Sequence, residues 1–202
     1  MHEIATILLA AGLSRRMGEQ NKLLLPIHGR PIIAHMVAIY QAATKGPVLV
    51  VTGNERALIE EALDGSGAET VFSENYKVGQ VNSVACGLQN APDAKTLLMA
   101  LGDQPYLQTK DLQALLAAHD AADPNRISIP QIGDMRGTPL VIPGALRARL
   151  LEDPRSPGCK RFTRENPEHV QFHALPARGF YDDIDTPEDY AALLADLEKE
   201  DA

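Results

Sequence analysis

The sequence has no tryptophan, few other aromatic residues, and only two cysteines, Cys86 and Cys159. So few rings give little surface on which the bases of a single-stranded nucleic acid could stack. Two thiols cannot build a disulfide framework or supply the ligands of a structural zinc site, which suits a reducing compartment. We therefore expect neither a disulfide-stapled secreted domain nor a binder of single-stranded nucleic acid.

Long apolar runs and an excess of positive charge are also absent. No segment approaches the ~18 consecutive apolar residues of a membrane-spanning helix. The N-terminus lacks the basic start and cleavage site of a signal peptide. The formal net charge is −8, whereas nucleic acid and membrane surfaces attract a basic field. We expect a cytoplasmic protein that binds neither nucleic acid nor membrane.

Length and hydrophobic pattern predict the fold class. A chain of 202 residues, 45% hydrophobic, can bury one sizeable core, so we expect a single domain over residues 1–202. Short apolar segments alternate with segments of helical period, which is typical of βαβ units. The predicted strands are Ile4–Ala10, Val48–Thr52, Glu69–Phe72 and Thr96–Leu101, and the predicted helices are Pro31–Ala43, Asn54–Leu63 with an asparagine N-cap, Gln80–Gln89 and Thr109–Ala122. This order predicts an α/β, Rossmann-like, three-layer α/β/α fold with a mostly parallel sheet.

The C-terminal third breaks the alternation. Arg126–Pro130 and Pro139–Ile142 resemble a hairpin, which we expect to form a small cap or edge insertion on the sheet. After a loop at residues 152–158, the predicted elements are a short helix at Cys159–Glu165, a strand at His169–Ala174 and a closing helix at Thr186–Glu198.

The loop after the first strand is a candidate phosphate-binding segment. Ala10, Ala11 and Gly12 are small enough for the backbone N–H groups to approach a phosphate closely. Ser14 adds a hydroxyl, and Arg16 and Lys22 add positive charge. The spacing matches neither a Walker A loop nor a dinucleotide-binding fingerprint. A solvated, charged turn is the alternative interpretation.

Acidic residues stand at two other places where a ligand could bind. Asp103 follows the apolar strand Thr96–Leu101 after one intervening residue, at the edge of the sheet where α/β proteins bind ligands. There it could hold Mg²⁺, which favours one or two carboxylates together with phosphate oxygens. Asp185 precedes the closing helix. Each acid also has a structural alternative. Asp103 could cap the helix at Thr109. Either Thr186 or Asp185 could cap the closing helix, with the acids there acting as partners of the helix dipole.

Six motifs together resemble a known family. They are L-A-A-G-x-S-x-R-M-G at Leu9 to Gly18, K-L at Lys22-Leu23, G-x-x-x-S-V-x-x-G-L at Gly79 to Leu88, G-D-Q-P at Gly102 to Pro105, R-G-x-P at Arg136 to Pro139, and D-x-D-T-P-E-D at Asp183 to Asp189. The chain resembles the nucleotidyltransferase superfamily of molybdenum cofactor biosynthesis, and within it the molybdenum cofactor cytidylyltransferases most closely.

The resemblance implies a Mg²⁺-dependent enzyme that transfers CMP from CTP to a phosphorylated acceptor such as molybdopterin, releasing pyrophosphate. Lys22, Arg16 and Asp103 would be catalytic, and Asp103 and Asp185 would bind the metal, with Asp183 as the alternative second ligand. The nucleotide would contact Leu9, Ala10, Ala11, Gly12, Ser14, Arg16, Lys22, Gly79, Ser83 and Asp103. Related guanylyl transferases tend to carry glycine where this chain has Ala11, which favours CTP over GTP.

Other functions remain open at this point. The enzyme could use GTP or another acceptor phosphate. The chain could also be a non-catalytic protein that delivers molybdenum cofactor, or a nicotinamide-dependent reductase on the same fold. The expected determinants of acceptor binding are Arg136–Pro139 and the Pro154–Arg161 loop, with Arg155, Lys160 and Arg161. A molybdoenzyme or its maturation chaperone is the expected protein partner.

Overall fold

The computed structural model describes residues 1–152 and 158–200, so Pro154 and Arg155 of the expected acceptor loop lie outside the described residues. The strands are β1 (His2–Ala10), β2 (Pro26–Ile27), β3 (Arg30–Pro31), β4 (Val48–Thr52), β5 (Glu69–Phe72), β6 (Ala94–Leu101), β7 (Ile127–Ile132), β8 (Met135–Arg136), β9 (Leu140–Pro143) and β10 (Val170–Ala174). The α-helices are α1 (Ile32–Thr44), α2 (Arg56–Ala62), α3 (Gln80–Asn90), α4 (Thr109–Ala121), α5 (Arg147–Leu151), α6 (Cys159–Glu165) and α7 (Pro187–Glu200).

A mixed, mostly parallel sheet forms the middle layer. Its strand order is β10-β7-β9-β6-β1-β4-β5, and β8 pairs with β7 outside this path. Strand β1 pairs in parallel with β4 on one side and β6 on the other. The carboxyl ends of β1 and β6 therefore lie side by side, and the loop after β1 and Asp103 after β6 share one rim of the sheet.

Each face of the sheet buries its own apolar core. Along β1, Leu8 and Ala10 face one core while Ile7 and Leu9 face the other, as the two-residue period of a strand requires. The first core includes side chains of α1, α2, α4 and α7, and the second includes side chains of α3, α5 and α6. This arrangement gives the three-layer α/β/α fold that the sequence predicted.

The placement of the predicted hairpin differs from the prediction. Strands β7 and β9 are antiparallel, as expected, but β9 lies inside the sheet between β6 and β7 instead of forming a cap or edge. The side chains of Val141 and Ile142 in β9 are fully buried, one in each core. A strand that is apolar on both faces needs cover on both faces, so it joins the sheet interior. The tight hairpin is the β7–β8 pair.

The start of α2 also differs from the prediction. The helix begins at Arg56, and Glu55 precedes it in the left-handed region with φ 49°. The Asn54 side chain donates to Glu55 at 3.4 Å and makes no capping bond to the helix, so the predicted asparagine N-cap is wrong. The other main helices lie within about two residues of their predicted bounds.

Helix α3 packs unusually close to β1 because Gly87 faces the sheet. A Cβ atom at Gly87 would lie 2.4 Å from Cγ2 of Ile7 and 3.0 Å from Cγ2 of Val51. Glycine thus lets the helix backbone rest directly on β1 and β4. At the other end of α3, Gly79 occupies the N-cap position with φ 155°, where a side chain would be strained.

The helices in the described ranges contain no segment that is both long and apolar enough to cross a membrane.

Candidate active site

The loop after β1 is held in place at both ends by buried side chains. Met17 and Leu23 are buried in the core on either side of the exposed Gly18–Gln20 segment. The Asn21 carboxamide oxygen accepts from the backbone N–H of Leu23 at 3.1 Å. Ser14 adopts a left-handed conformation with φ 47°, and its hydroxyl accepts from the backbone N–H of Lys22 at 3.3 Å. The loop therefore presents Lys22 in a defined position.

Two separate segments bring acidic groups to the same rim. Asp103 follows β6, and its backbone carbonyl accepts from the N–H of Ile184 at 2.8 Å. This hydrogen bond ties the segment before α7 to the end of β6. As a result, Asp103, Asp183 and Asp185 each offer a carboxylate oxygen within a group whose members lie within 4.8 Å of one another.

Neither acid that was predicted to bind metal serves as a helix cap. Helix α7 is capped by Thr186, whose hydroxyl accepts from the N–H of Asp189 at 3.2 Å. Asp189 in turn accepts from the N–H of Thr186 at 2.8 Å, which completes a capping box. The N-cap of α4 is Gln108, not Asp103, and the N–H of Gln108 donates to the carboxylate of Asp111. The predicted caps at Asp103 and at Asp185 are therefore wrong, whereas the alternative in which Thr186 caps the closing helix is confirmed.

Two basic residues of the loop are paired with these acids. The Lys22 ammonium lies 2.5 Å from Oδ2 of Asp103 and 2.8 Å from Oδ1 of Asp185. Arg16 lies 2.5 Å from the other carboxylate oxygen of Asp185. The Lys22 side chain is only 12% exposed, whereas that of Arg16 is 67% exposed. Lys22 is therefore the cation that is fixed at the centre of the acidic group.

One of the two carboxylate oxygens of Asp103 is unpaired among the described residues. Its Oδ1 atom is buried, and among the described residues it has no hydrogen-bond partner. A buried oxygen without a partner is costly unless a ligand, ion or water satisfies it. Hard cations such as Mg²⁺ and Mn²⁺ favour carboxylate oxygens, so the three acids fit a divalent metal ion.

The ionisation of the group follows from its packing. Burial raises the pKa of Asp183, and repulsion from Asp103 and Asp185 adds to the effect. Burial also opposes the charge of Asp185, but hydrogen bonding and attraction from Lys22 and Arg16 prevail and lower its pKa. For Lys22, burial opposes the charge and the two carboxylates outweigh it, so its pKa is raised. Lys22 and Asp185 thus stay ionised at neutral pH.

A cavity of about 520 Å³ opens directly over this group. All the residues that the sequence predicted to contact the nucleotide line it, together with Asp185: Leu9, Ala10, Ala11, Gly12, Ser14, Arg16, Lys22, Gly79, Ser83 and Asp103. Ser83 is buried, and its hydroxyl lies 3.4 Å from that of Ser73. The N-terminus of α3, at Gln80, also faces the cavity, and a helix N-terminus favours anionic ligands.

Tyr76, Lys77 and Val78 line the same cavity but were not predicted from the sequence. The Tyr76 ring packs on Gly53, where a Cβ atom would lie 2.7 Å from Cγ of the ring. Lys77 is exposed, with its ammonium 5.7 Å from the centre of the Tyr76 ring. A glycine directly after β4 was the sequence signal for this close packing.

A second cavity of about 390 Å³ adjoins the first and shares Leu9, Gln80 and Leu101 with it. Its remaining walls are largely apolar, and three exposed cations line it: Arg136, Lys160 and Arg164. The structure thus places Arg136, Gly137, Thr138 and Lys160 of the expected acceptor determinants here. Arg161 instead pairs with Glu165 at 2.8 Å and lies outside the lining of this cavity.

Comparison with known proteins identifies relatives of the chain. GlmU of Symbiobacterium thermophilum, a bifunctional protein, is 31% identical over 155 residues, which is 76% of this chain but only 31% of the length of GlmU. Nicotine blue oxidoreductase of Paenarthrobacter nicotinovorans is 27% identical over 199 residues, which is 95% of this chain and 96% of the relative.

Solved structures share the fold. The crystal structure of Rv0371c from Mycobacterium tuberculosis H37Rv superposes with a TM-score of 0.78 at 23% identity, covering 96% of this chain and 98% of that protein. The same protein has also been solved in complex with manganese. The family model for the MobA-like NTP transferase domain matches residues 6–170. The chain therefore belongs to the MobA-like NTP transferase domain family.

Proposed function

We propose that this protein transfers CMP from CTP to a phosphorylated small-molecule acceptor and releases pyrophosphate, with molybdopterin as the acceptor. The observation that carries the proposal is a single cavity lined by a glycine-containing loop, by Arg16 and Lys22, and by Asp103 and Asp185, two members of a group of three clustered carboxylates. Triphosphate binding needs the first two features, and metal-assisted phosphoryl chemistry needs the third.

The reaction needs positioning more than acid–base catalysis. A phosphate oxygen of the acceptor attacks the α-phosphorus of CTP, and the bond from that phosphorus to the bridging α–β oxygen breaks as pyrophosphate leaves. Because the attacking phosphate is already ionised, no side chain has to remove a proton. Lys22 and Arg16 neutralise charge that grows on the α-phosphoryl group and on pyrophosphate. The backbone N–H groups of Ala11 and Gly12 orient the triphosphate.

The metal would be held by Asp103 and Asp185, with Asp183 close enough to complete the set. Bound Mg²⁺ would supply charge neutralisation and orientation of the phosphate oxygens. The manganese complex of the structural relative Rv0371c supports a divalent ion in this fold. Asp103 is the central ligand of the proposal, since its second oxygen is buried and otherwise unpartnered in the described residues.

The choice of CTP rests on Ala11. This residue is buried, lines the cavity and packs beside Gly53. Its methyl group narrows the space at the start of the loop, where the guanylyl-transferring relatives tend to carry glycine. We therefore propose a pyrimidine nucleotide, with GTP as the alternative that a direct comparison of nucleotides must exclude.

The second cavity is the proposed acceptor site. Its contact with the first at Leu9, Gln80 and Leu101 would bring an acceptor phosphate next to the α-phosphate of the nucleotide. Arg136, Lys160 and Arg164 would attract the anionic acceptor. Thr138 and Thr163 already donate their hydroxyl protons to Gln104 and to the carbonyl of Lys160. An acceptor with a planar ring system and a phosphate, such as molybdopterin, would pack its ring against these walls. A molybdoenzyme or its maturation chaperone would receive the product.

A second candidate function is oxidoreduction. It is favoured by the nicotine blue oxidoreductase of Paenarthrobacter nicotinovorans, which aligns over nearly the whole of both chains. A reductase would need a nicotinamide dinucleotide in the same cavity. The clustered carboxylates favour the transferase instead, because a hydride transfer gains nothing from a group of three acids beside the phosphates.

The deciding experiment is an assay of pyrophosphate release with Mg²⁺ and each of CTP, GTP, ATP and UTP against phosphorylated acceptors that include molybdopterin. We expect release with CTP and molybdopterin, and a loss of about 10²-fold or more in Asp103→Asn, because one metal ligand is removed. Glu188→Gln, an exposed acid beside the site, is the matched control and should keep wild-type turnover.

Three outcomes would contradict the proposal. Pyrophosphate release that is equal in Asp103→Asn would remove the metal from the mechanism. No release with any pair, together with oxidation of NADH or NADPH by a dye substrate, would establish the reductase. Tight binding of finished molybdenum cofactor without any turnover would instead indicate a delivery protein.

A further inference from the structure

Lys22 occupies the place where the proposed reaction needs a metal ion on the carboxylates and a triphosphate on the ammonium. Its ammonium contacts Asp103 at 2.5 Å and Asp185 at 2.8 Å, with only 12% of its side chain exposed. The carboxylates that a metal ion would use are thus already bound to a cation of the protein. The ammonium that a phosphate would use is, for the same reason, already bound to two acids.

Arg16 pairs with one of the same acids at the edge of the site. It lies 2.5 Å from the second oxygen of Asp185, so both oxygens of that carboxylate are paired. Lys22 and Arg16 together carry two positive charges against the three negative charges of Asp103, Asp183 and Asp185. The group is nearly neutral as it stands. It therefore attracts neither a free cation nor a free polyphosphate as strongly as its separate charges would.

The energetic consequence differs between one ligand and two. A metal ion that binds alone must separate Lys22 from the carboxylates and leave the ammonium partly buried without a partner, which is costly. A triphosphate that binds alone must draw the same ammonium away and leave the carboxylates unpaired. When both ligands bind, the metal pairs with the acids and the phosphates pair with Lys22 and Arg16, so no charge is left alone.

We infer that Lys22 is an internal substitute for the metal ion, and that its exchange from the carboxylates to the triphosphate makes binding of metal and nucleotide mutually dependent. This inference rests on the proposed function, because it takes Asp103 and Asp185 as the metal ligands. By linkage, the nucleotide raises the affinity for the metal by the same factor as the metal raises the affinity for the nucleotide.

The test is the affinity for free Mn²⁺, measured by electron paramagnetic resonance and calorimetry without nucleotide. Lys22→Met frees Asp103 and one oxygen of Asp185, so we expect it to bind Mn²⁺ about tenfold more tightly than the wild type, within the usual range of coupling between sites. Arg16→Met frees only one oxygen and should give a smaller increase. A simple loss of a catalytic lysine would not raise metal affinity.

Lys77→Met is the matched control, because Lys77 lines the same cavity but has no carboxylate partner among the described ion pairs. It removes the same unit of charge from the cavity. It should leave the affinity for free Mn²⁺ within about twofold of wild type, a change far smaller than a typical coupling. An equal gain in Lys77→Met and Lys22→Met would mean that general charge, not exchange at the acids, governs metal binding.

Addition of CTP completes the cycle. Adding CTP should raise the Mn²⁺ affinity of the wild type by a larger factor than it raises that of Lys22→Met. Free CTP also binds Mn²⁺ in solution, but this affects both proteins equally and drops out of the ratio of the two factors. Thermal unfolding with Mn²⁺ provides a second readout and checks that each variant folds. Lys22→Met should be stabilised by Mn²⁺ alone more than the wild type is.

The outcomes separate this inference from the proposed function. If wild type binds Mn²⁺ and CTP together but Lys22→Met shows no gain for free Mn²⁺, the exchange is wrong and the transferase assignment stands. If neither Mn²⁺ nor any nucleotide binds under any combination, the proposed function itself fails.

Discussion

Thr186 and Asp185 are adjacent residues with different tasks at the start of α7. The Thr186 hydroxyl caps the helix through the N–H of Asp189, whereas the Asp185 carboxylate faces Lys22 and Arg16. Loss of an N-cap hydroxyl removes a hydrogen bond from an otherwise unpaired backbone donor. Loss of the carboxylate charge removes a proposed metal ligand. Substitutions at the two positions should therefore separate stability from activity.

We predict that Thr186→Ala lowers the free energy of unfolding by about 1 kcal/mol. Asp185→Asn should instead lower turnover by about 10²-fold, as expected for one electrostatic group in an active site. Urea unfolding and pyrophosphate release, measured on both variants, check the two effects. If Asp185→Asn kept full turnover and Asp183→Asn lost it, Asp183 would be the second metal ligand.

Residues of the site differ in how far the sequence predicts them. Lys22, Asp103 and Asp185 belong to motifs, so the family resemblance predicts them from the sequence alone. Tyr76 and Lys77 belong to no motif and reach the cavity because β4 and the segment after β5 lie side by side. Their contribution depends on contact between distant segments, which a local pattern does not encode.

Strand β7, strand β10 and helix α4 meet at one buried hydroxyl. Oγ of Ser128 lies 2.8 Å from Nδ1 of His119, 2.9 Å from Nε2 of His173, and accepts from the Gln171 amide at 2.9 Å. A hydroxyl has one proton and two lone pairs. The three partners satisfy it only if one imidazole accepts and the other donates. Protonation of the accepting ring turns it into a third donor to a hydroxyl oxygen that has two lone pairs, and so disrupts the cluster.

This cluster predicts a pH dependence of stability. Burial lowers the pKa of His173. Burial also lowers that of His119, with His173 adding to the effect and Asp120 and Asp123 opposing it. The native state thus binds fewer protons than the unfolded state, in which histidine titrates near ~6.5. The free energy of unfolding should fall as the pH drops below about 6.5.

Urea unfolding at about pH 8 and about pH 5, on either side of the unfolded pKa, measures the effect. His173→Gln keeps a polar side chain on β10 but cannot take up a proton. We expect the stability difference between the two pH values to be smaller in His173→Gln than in the wild type. An equal difference in both proteins would assign the acid sensitivity to other groups, such as His35, whose burial lowers its pKa to about 4.

The elements were predicted well where the pattern was local. β4, β5 and α6 match their predicted ranges, because apolar period and flanking turn residues mark their ends. The position of β9 could not be predicted in the same way. It pairs with β6 and β7 because both of its apolar faces have to be buried there. Which strands offer such a place depends on the packing of the whole sheet, not on the local sequence.

The whole molecule is predicted to unfold as one unit. Strand β1 contributes to both cores, and the bond between Ile184 and Asp103 ties the segment before α7 to the rim of the sheet. A division into two independently stable parts would have to split these shared layers. The single domain expected over residues 1–202 therefore remains our prediction.

Far-ultraviolet circular dichroism and tyrosine fluorescence should report the same urea midpoint if this prediction is right. The five tyrosines include Tyr40 in the first core, Tyr76 in the lining of the cavity of about 520 Å³ and Tyr190 on α7, so the fluorescence samples distant regions. CTP with Mg²⁺ at 100 times the dissociation constant should add about 2.7 kcal/mol to the free energy of unfolding and so raise both midpoints alike. Two separate transitions would show that the chain contains two domains.

The link between Ile184 and Asp103 also affects when the site can form during protein synthesis. Lys22 and Asp185 are 163 residues apart in the sequence. A ribosome therefore synthesises the loop after β1 long before it reaches the acidic residues that precede α7. A nascent chain that stops short of residue 183 carries the loop and Asp103 but lacks two of the three carboxylates. Only a chain that has been synthesised beyond residue 185 can therefore assemble the acidic group, so translation products that terminate earlier would lack part of the proposed metal site.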